Sequence, residues 1–297
     1  MSPLVLLEGM LEAVQGALAD AQQWLFEWLI QPLMLAFGLA GQLEDGYVGA
    51  LWFLAGLAQL AVLLLVIGPL QRWRPVEVVD AAARKAIRSD VIYTLIHRLG
   101  LFRALLFVLV EPLWQSVMGV LRSAGLPTFH ADGWWPGVSD QPVLSFFIYL
   151  LIFDFLAWCV HALQHRWGWW WQLHALHHSQ QHMTMWTDNR NHLLDDLIHD
   201  AVFVFMGLLI GVAPAQFVAI VALTQLLESL SHANLRLSFG RWGERVLVSP
   251  RFHRRHHAIE PAQPGGDDRR SAVRGCNYAV LFPVWDMLFG TARFESA

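Results

Sequence analysis

Histidine is the residue through which this sequence could do chemistry. Three clusters, His161-x-x-x-His165, His174-x-x-His177-His178 and His253-x-x-His256-His257, hold eight of the fourteen histidines in the 297-residue chain. Neutral imidazole is the commonest protein metal ligand and binds divalent iron, zinc or copper well. On a helix, positions i, i+3 and i+4 project from one face, so each cluster aims its rings at a common point. A hydrolytic zinc site needs three protein ligands and an open position; eight clustered imidazoles exceed that and suffice for two metals. Dimetal carboxylate enzymes use Glu-x-x-His pairs inside a bundle, and no such pairing dominates here. A histidine-only set suggests two irons that activate dioxygen against an unactivated C–H bond, chemistry suited to a membrane enzyme with a lipid substrate.

The elements that must position these rings are apolar. The chain is 56% hydrophobic and 15% charged, against about 25% charged in ordinary soluble domains. Val48–Leu70 runs 23 residues without a charge, enough to cross a hydrocarbon core of roughly 30 Å. Val143–Val160 is broken only by Asp154, and Ala201–Leu227 is 27 residues with no charge. The expectation is an all-α integral membrane protein, its transmembrane helices bearing a cytoplasmic helical cap that carries a histidine-ligated dimetal site. No cleavable signal peptide is expected, because the N-terminus lacks basic residues and carries Glu8, Glu12 and Asp20. Arg72, Arg74, Arg84, Lys85 and Arg88 follow the first span, and nine arginines lie between His232 and Cys276. By the positive-inside rule both stretches face the cytoplasm, while Leu121–Gln141, with one arginine, lies outside. The bacterial inner membrane is the expected location. Two cysteines, Cys159 and Cys276, cannot build an iron–sulfur cluster and suggest no disulfide framework. The basic stretches suit lipid headgroups rather than nucleic acid.

Along the chain, residues 1–89 read as N-terminal membrane and interfacial helices, with Trp24 and Trp28 at headgroup depth, followed by a basic linker over Gln71–Ser89. Residues 90–297 read as the catalytic domain. A helix from about Asp90 to Val120 crosses outward despite Arg103 and Glu111, and the loop around Gly133-Trp-Trp-Pro136 turns the chain into Val143–Val160. Ala201–Leu227 must go in and come back, since residues sharing a metal cannot be separated by a bilayer. Gly211-Val-Ala-Pro214 supplies the break. Arms of about 12 residues would reach only about 18 Å, which predicts a re-entrant hairpin.

The stretch from Asp154 to Phe294 resembles the fatty acid hydroxylase and sterol desaturase superfamily. Asp154-Phe-Leu-Ala-Trp-Cys-Val-His161 with His165 is similar to that family's first histidine box. Trp171-x-x-His174-x-x-His177-His178-Ser179 is similar to the second, and Arg190-Asn-His192 to the Arg-x-His element after it. Ser231-His232-Ala-Asn234-Leu-Arg-Leu resembles the lead-in to the third box, His253-Arg-Arg-His256-His257, and Asn277-Tyr278 and Trp285-Asp286-Met-Leu-Phe-Gly-Thr291 are typical closing elements. Ala162 stands where arginine is frequent and Ala279 where glycine is usual; neither change removes a ligand. The resemblance implies a cytoplasmic, histidine-ligated diiron centre using dioxygen and two electrons to hydroxylate or desaturate a lipid. It implies His161, His165, His174, His177, His178, His253, His256 and His257 as ligands, with His232 a ninth and His192 a tenth. Zinc is a possible substitute for iron in purified protein. Asp154 and Asn234 are carried as catalytic candidates. No electron carrier is fused, so a separate reductase with ferredoxin or cytochrome is implied.

Other residues invite plainer readings. His97, His130 and His182 are single, and His199 borders an apolar run, so surface or interfacial roles fit them. Asp195 and Asp196 suit either orienting ligand imidazoles or plain helix charges. Glu228, four residues before His232, could face the same metal. Asp154 interrupts an apolar helix two turns before His161, where ionisable groups are costly and tend to be functional. Trp167 and Trp169–Trp171 fit an aromatic belt. Asn277, Trp285 and Asp286 read as closing the C-terminal segment over the site. Two other functions compete with an oxygenase. A non-enzymatic metal transporter or sensor would place its ligands near the midplane, and a bis-histidine haem carrier would need histidines facing each other within spans. The boxes do not distinguish fatty acyl, sterol, ether-lipid, carotenoid or aminolipid substrates.

Overall fold

The structure is a computed structural model, and it describes residues 3–103, 116–117, 119–125, 133, 135–138, 140–258 and 275–294. Every regular element among them is helical. The expected features at Glu111 and His130 lie outside the described residues, as do residues 126–132, 134 and 139 of the loop Leu121–Gln141.

Helix α1 (Pro3–Leu25) runs on through a π turn, Phe26–Ile30, into Gln31–Ala36. Trp24 and Trp28 are exposed on it, as a helix at headgroup depth requires. Helix α2 (Ala40–Trp73), α4 (Pro142–Arg166) and α7 (Pro214–His232) are each long and apolar enough to cross a membrane. Helix α3 (Ala81–Arg98) begins nine residues before the expected Asp90 and runs through residue 89, where the sequence suggested a domain boundary. The reason is local: the Asp80 carboxylate accepts from Ala83 N at 2.8 Å, an N-cap followed by good helix formers, Ala-Ala-Ala-Arg-Lys-Ala. The linker between α2 and α3 is therefore short, and Arg84, Lys85 and Arg88 are helical. Gly56 of α2 lies against the end of α3; a Cβ there would stand 1.6 Å from the Arg98 carbonyl oxygen.

Helix α4 is the pillar of the fold. Its Tyr149, Leu150, Phe153, Ala157 and Val160 pack against Trp170 of α5 (Gly168–His174), Phe203 of α6 (Leu193–Ile210), Ile220 of α7 and Leu281. Phe153 stacks on Phe203 with ring centres 5.7 Å apart and meets Phe217 edge-on at 5.4 Å. Helices α6 and α7 form the expected hairpin, with Gly211 in the left-handed conformation (φ 69°) and Pro214 opening α7. The arms are longer than expected, 18 and 19 residues, or about 27–28 Å at 1.5 Å per residue. Both helices continue past the uncharged run, through Leu193-Leu-Asp-Asp and Glu228-Ser-Leu-Ser-His, where Asp195 is held by Gln164 and Trp170, Asp196 by His97, and Ser229 by Arg98 and Asp188. The hairpin returns His232 to the end of the molecule that carries His161 and His165. Helix α8 (Pro250–His257), capped by Ser249 Oγ accepting from Phe252 N at 3.1 Å, delivers the third box to the same end.

Two buried carboxylates fasten the C-terminal segment around α9 (Val284–Leu288) to α4. Asp154 accepts from Leu281 N at 2.9 Å, Phe282 N at 3.2 Å and Trp285 Nε1 at 2.7 Å. Asp286 accepts from Trp158 Nε1 and Tyr278 N, each at 3.0 Å, and from Ala279 N at 2.7 Å. Ala279 is fully buried. Asn277, at φ 57°, donates to the carbonyls of Phe252 and Arg293 and so ties this segment to α8.

Candidate metal centre

Nine histidines converge where α4, α5, α7 and α8 meet. They fall into two groups whose candidate ligand atoms lie within 4.8 Å of one another: His161, His165, His174, His178 and His256 in one, His177, His232, His253 and His257 in the other. The groups touch, with the His178 and His257 rings stacked at 4.4 Å and His174 and His177 at 5.1 Å. The second and third boxes are split between the groups, so each of these two boxes contributes to both. These are the eight box histidines and His232. His192 stands apart: it caps α6, its Nδ1 accepting from Leu194 N at 3.1 Å, and is exposed.

Hydrogen bonding decides which ring nitrogen carries the proton. A backbone carbonyl can only accept, so His161 Nδ1, 2.9 Å from Tyr278 O, must be the protonated nitrogen. The same holds for His256 Nδ1 against Cys276 O at 2.7 Å and His232 Nδ1 against Glu228 O at 2.8 Å. His174 Nδ1 stands 3.2 Å from Asp195 Oδ2. In each neutral ring Nε2 is then a lone pair, and Nε2 is the atom turned into the centre. Gln180 Nε2 lies 3.0 Å from His257 Nδ1 while its Oε1 is buried without a partner. Turning that amide over, an assignment free at the level of geometry, lets Oε1 accept from His257 Nδ1 and gives His257 the same tautomer.

The inward nitrogens have the arrangement a cation requires. In the first group Nε2 of His161, His165, His174, His178 and His256 are all buried and without a hydrogen-bond partner, a concentration of unmet polar atoms that buried groups ordinarily avoid. In the second, His232 Nε2 is 3.2 Å from His177 Nε2, 2.9 Å from His253 Nε2 and 3.2 Å from His257 Nε2. Ligands about 2.1 Å from one metal stand about 3.0 Å apart on an octahedral edge and about 3.4 Å apart on a tetrahedral one. These spacings lie close to that range, and the donor set fits a metal. Burial, reinforced by neighbouring imidazoles, pushes His177, His178, His253 and His257 well below the ordinary histidine range. His256 falls to about 3, burial outweighing the Cys276 carbonyl that favours its charged form. All are neutral near pH 7, the form that binds metal.

Around this centre is a supporting layer. Asp195, which the sequence allowed to orient an imidazole, holds His174 and is fixed in turn by Gln164 Nε2 at 2.8 Å and Trp170 Nε1 at 2.6 Å on its other oxygen. Trp170 thus differs from the aromatic belt expected for its neighbours: it is buried, while Trp167 and Trp169 are exposed. Gln164 was not singled out by the sequence, although it lies inside the first box beside His165, and Tyr278 was read only as part of a closing Asn-Tyr element, not as the partner of His161. Asp196 does not reach a box histidine; it pairs with His97 Nε2 at 3.3 Å. Asp154 bonds only the C-terminal segment, whose Tyr278 carbonyl then fixes His161. Asn234 ties the linker over the site, accepting from Val76 N and Glu77 N at 3.0 Å each and donating to Glu77 O at 2.8 Å. Among the described residues, neither bonds a clustered imidazole. Glu228 meets His232 through its backbone carbonyl.

Residues 146–291 match the family model for fatty acid hydroxylase. The chain is 27% identical over 271 residues to an ornithine lipid hydroxylase of Rhizobium tropici, covering 89% of this chain and 74% of that one. It is 28% identical over 152 residues to an alkylglycerol monooxygenase of Caenorhabditis elegans, covering 50% of this chain and 27% of that protein. No solved structure matches. The family match spans every one of the nine convergent histidines, and with both relatives it makes this chain similar to the fatty acid hydroxylase and sterol desaturase superfamily.

Proposed function

We propose that the chain is a membrane-bound hydroxylase that uses two irons, dioxygen and two external electrons to place a hydroxyl group on a lipid. The balance is one C–H bond, one dioxygen, two electrons and two protons giving one alcohol and one water. The observation that carries this reading is the pair of adjacent all-histidine groups with their Nε2 lone pairs turned inward. The lipid class is supported by relatives named as an ornithine lipid hydroxylase and an alkylglycerol monooxygenase.

His161, His165, His174, His178 and His256 would hold one ion and His177, His232, His253 and His257 the other; together the two irons would supply the capacity to activate dioxygen. The chain's own contribution is positioning. The Tyr278, Cys276 and Glu228 carbonyls and the Asp195 carboxylate hold ligand N–H groups, which orients each ring and raises its basicity. Asp154 and Asp286 are positioning residues that clamp the C-terminal segment, so that Tyr278 stays against His161. Burial of the imidazoles excludes bulk water from the reaction site. Two electrons arrive from a separate carrier, and the arginine-rich stretches support a cytoplasmic site in a bacterial inner membrane.

The test is lipid analysis of cells expressing the chain under oxygen-18 gas. Ornithine lipids and ether lipids are the first classes to inspect. A lipid gaining one labelled oxygen in wild-type cells, absent with His177→Ala, is the expected result. No labelled lipid from cells with metal-loaded protein and an active reductase would overturn the reading.

A further inference from the structure

Helix α8 carries two chemistries on opposite faces. His253, His256 and His257 turn to the metal centre, while Arg251, Arg254 and Arg255, at i, i+3 and i+4, turn away from it to the surface. Arg254 pairs with Glu77 at 3.3 Å. Arg251 and Arg255 line a recess of about 360 Å³ together with Arg241, Arg245 and Arg293, and the rings of Phe252 and Phe294 lie beside them.

Counted over every ionisable side chain on its wall, the recess holds five guanidinium groups and one carboxylate, Glu244; among the described residues no histidine lines it. Glu244 Oε1 accepts from Phe239 N at 3.1 Å and from Ser249 Oγ at 2.7 Å, which fastens the turn before α8. Three of the arginines are held by neutral groups. Arg245 lies over the Phe294 ring at 4.7 Å and donates to the Arg241 carbonyl. Arg241 lies near the Trp242 ring at 5.4 Å, and Arg293 donates to the Ala292 carbonyl at 3.0 Å. Residues 259–274, next along the chain, carry Glu260, Asp267 and Asp268 against Arg269, Arg270 and Arg274, a sum of zero. Guanidinium groups gathered in this way repel one another, and an anion with several acceptor oxygens offsets that by charge-assisted, bidentate hydrogen bonds.

The surroundings of the recess are apolar and exposed. Trp242 and Val246, each next to an arginine of the wall, are 74% and 66% exposed. Arg293 follows Phe289 by four residues, no more than about 14 Å of chain. Phe289 is itself exposed, and it stacks on Trp158 at 4.4 Å and on Phe155 at 6.2 Å, both on the spanning helix α4. From α4 outward the order is therefore exposed apolar side chains, then tryptophan with arginines. That is the order of hydrocarbon, interface and headgroups in a bilayer. A soluble anion would use the guanidinium groups alone; acyl chains account for the apolar rim as well.

We propose that the recess bounded by Arg241, Arg245, Arg251, Arg255 and Arg293 binds the phosphate of an anionic phospholipid, which seats the histidine-bearing end of the molecule on the membrane surface. The site stands apart from the hydroxylase reading, because it lies on the face of α8 opposite the metal-facing histidines. The lipid held there is a fixed neighbour of the protein rather than the molecule oxidised. Since Arg251 and Arg255 belong to the helix that carries the third histidine box, the same contact steadies that helix.

Native mass spectrometry of the detergent-solubilised full chain, titrated with phosphatidylglycerol and with diacylglycerol of the same acyl chains, tests this. The wild type is expected to bind phosphatidylglycerol at least about tenfold more tightly. In Arg241→Gln combined with Arg293→Gln, both at exposed positions, phosphatidylglycerol binding is expected to fall about 25-fold, about fivefold for each arginine at about 1 kcal/mol near a membrane surface. Diacylglycerol binding is expected to stay as it was. Arg84→Gln combined with Arg88→Gln removes the same charge from exposed positions on α3 and is expected to bind phosphatidylglycerol like the wild type. Metal per chain and the thermal midpoint, measured in each variant, report the fold; should the recess double variant lose either, its two single variants, each expected to lose about fivefold, carry the test. Equal losses in both double variants would make the effect one of net charge and overturn the proposal, as would undiminished binding in the recess variants. Inorganic phosphate displacing phosphatidylglycerol at equal concentration would assign the recess to a soluble anion. Weakened binding of ferredoxin with phospholipid binding intact would assign it to the electron carrier. Either result also overturns the proposal.

Discussion

Asp195→Asn changes one atom and should cost the first metal site selectively. In the native chain Asp195 Oδ2 accepts from His174 Nδ1 at 3.2 Å, while Oδ1 accepts from Gln164 and Trp170 at 2.8 and 2.6 Å. In the asparagine variant the amide oxygen keeps the Gln164 and Trp170 bonds, so the side chain stays in place. The amide nitrogen then faces His174 Nδ1, donor against donor. The imidazole escapes that clash by moving its proton to Nε2, the atom needed by the metal. Losing such a supporting hydrogen bond costs about 10- to 100-fold in metal affinity, or about 1.4–2.7 kcal/mol. His174 belongs to the group with His161, His165, His178 and His256, so only that group should weaken. Competition against a graded series of chelators would resolve two equal-stoichiometry steps in the wild type. In the variant one step should move by one to two decades and the other stay. Coincident curves for the two proteins would refute the tautomer argument, as would equal loss from both sites.

Asp154→Ala leaves three donors, Leu281 N, Phe282 N and Trp285 Nε1, without their acceptor; at about 1–3 kcal/mol for each buried orphan, the thermal midpoint in detergent should fall sharply, with Asp154→Asn falling less. His192→Ala removes a helix cap rather than a ligand, so stability should drop by about 0.5–2 kcal/mol with metal per chain unchanged in elemental analysis. Gly56→Ala puts a Cβ 1.6 Å from the Arg98 carbonyl and should cost about 1–3 kcal/mol as α2 and α3 are forced apart, read as a lower thermal midpoint.

Residue type and spacing made the core of the site legible in the sequence. The histidine spacing announced the rings that converge but not their division, since the second and third boxes each split between two groups rather than meeting at one point; Gly211 with Pro214 announced the hairpin that brings His232 home. The start of α3 was misplaced because charge was allowed to outweigh propensity: Arg84, Lys85 and Arg88 suggested a linker, although Asp80-Ala-Ala-Ala is a helix start. The length of the hairpin arms was underestimated for a related reason. A charge normally ends a buried helix, but Asp195 is held by Gln164 and Trp170 and Asp196 by His97. Trp170 could not be told from Trp167 and Trp169 by composition, since only the packing of α5 on α4 decides which indole reaches Asp195. His192 resembles a ligand by its Arg-x-His setting, yet it sits one residue before a helix and meets the backbone need for a cap instead. Pairings between distant segments, such as Asn234 with Glu77 or Asp154 with Trp285, leave no local trace in the chain.

The most direct measurement is the iron content of protein purified from its membrane without chelators and assayed in the same preparation. The nine convergent histidines predict two irons per chain in lipid-hydroxylating preparations, falling to one in His161→Ala and one in His253→Ala, which belong to different groups. An active preparation holding a single metal, or none, would contradict the account at its centre.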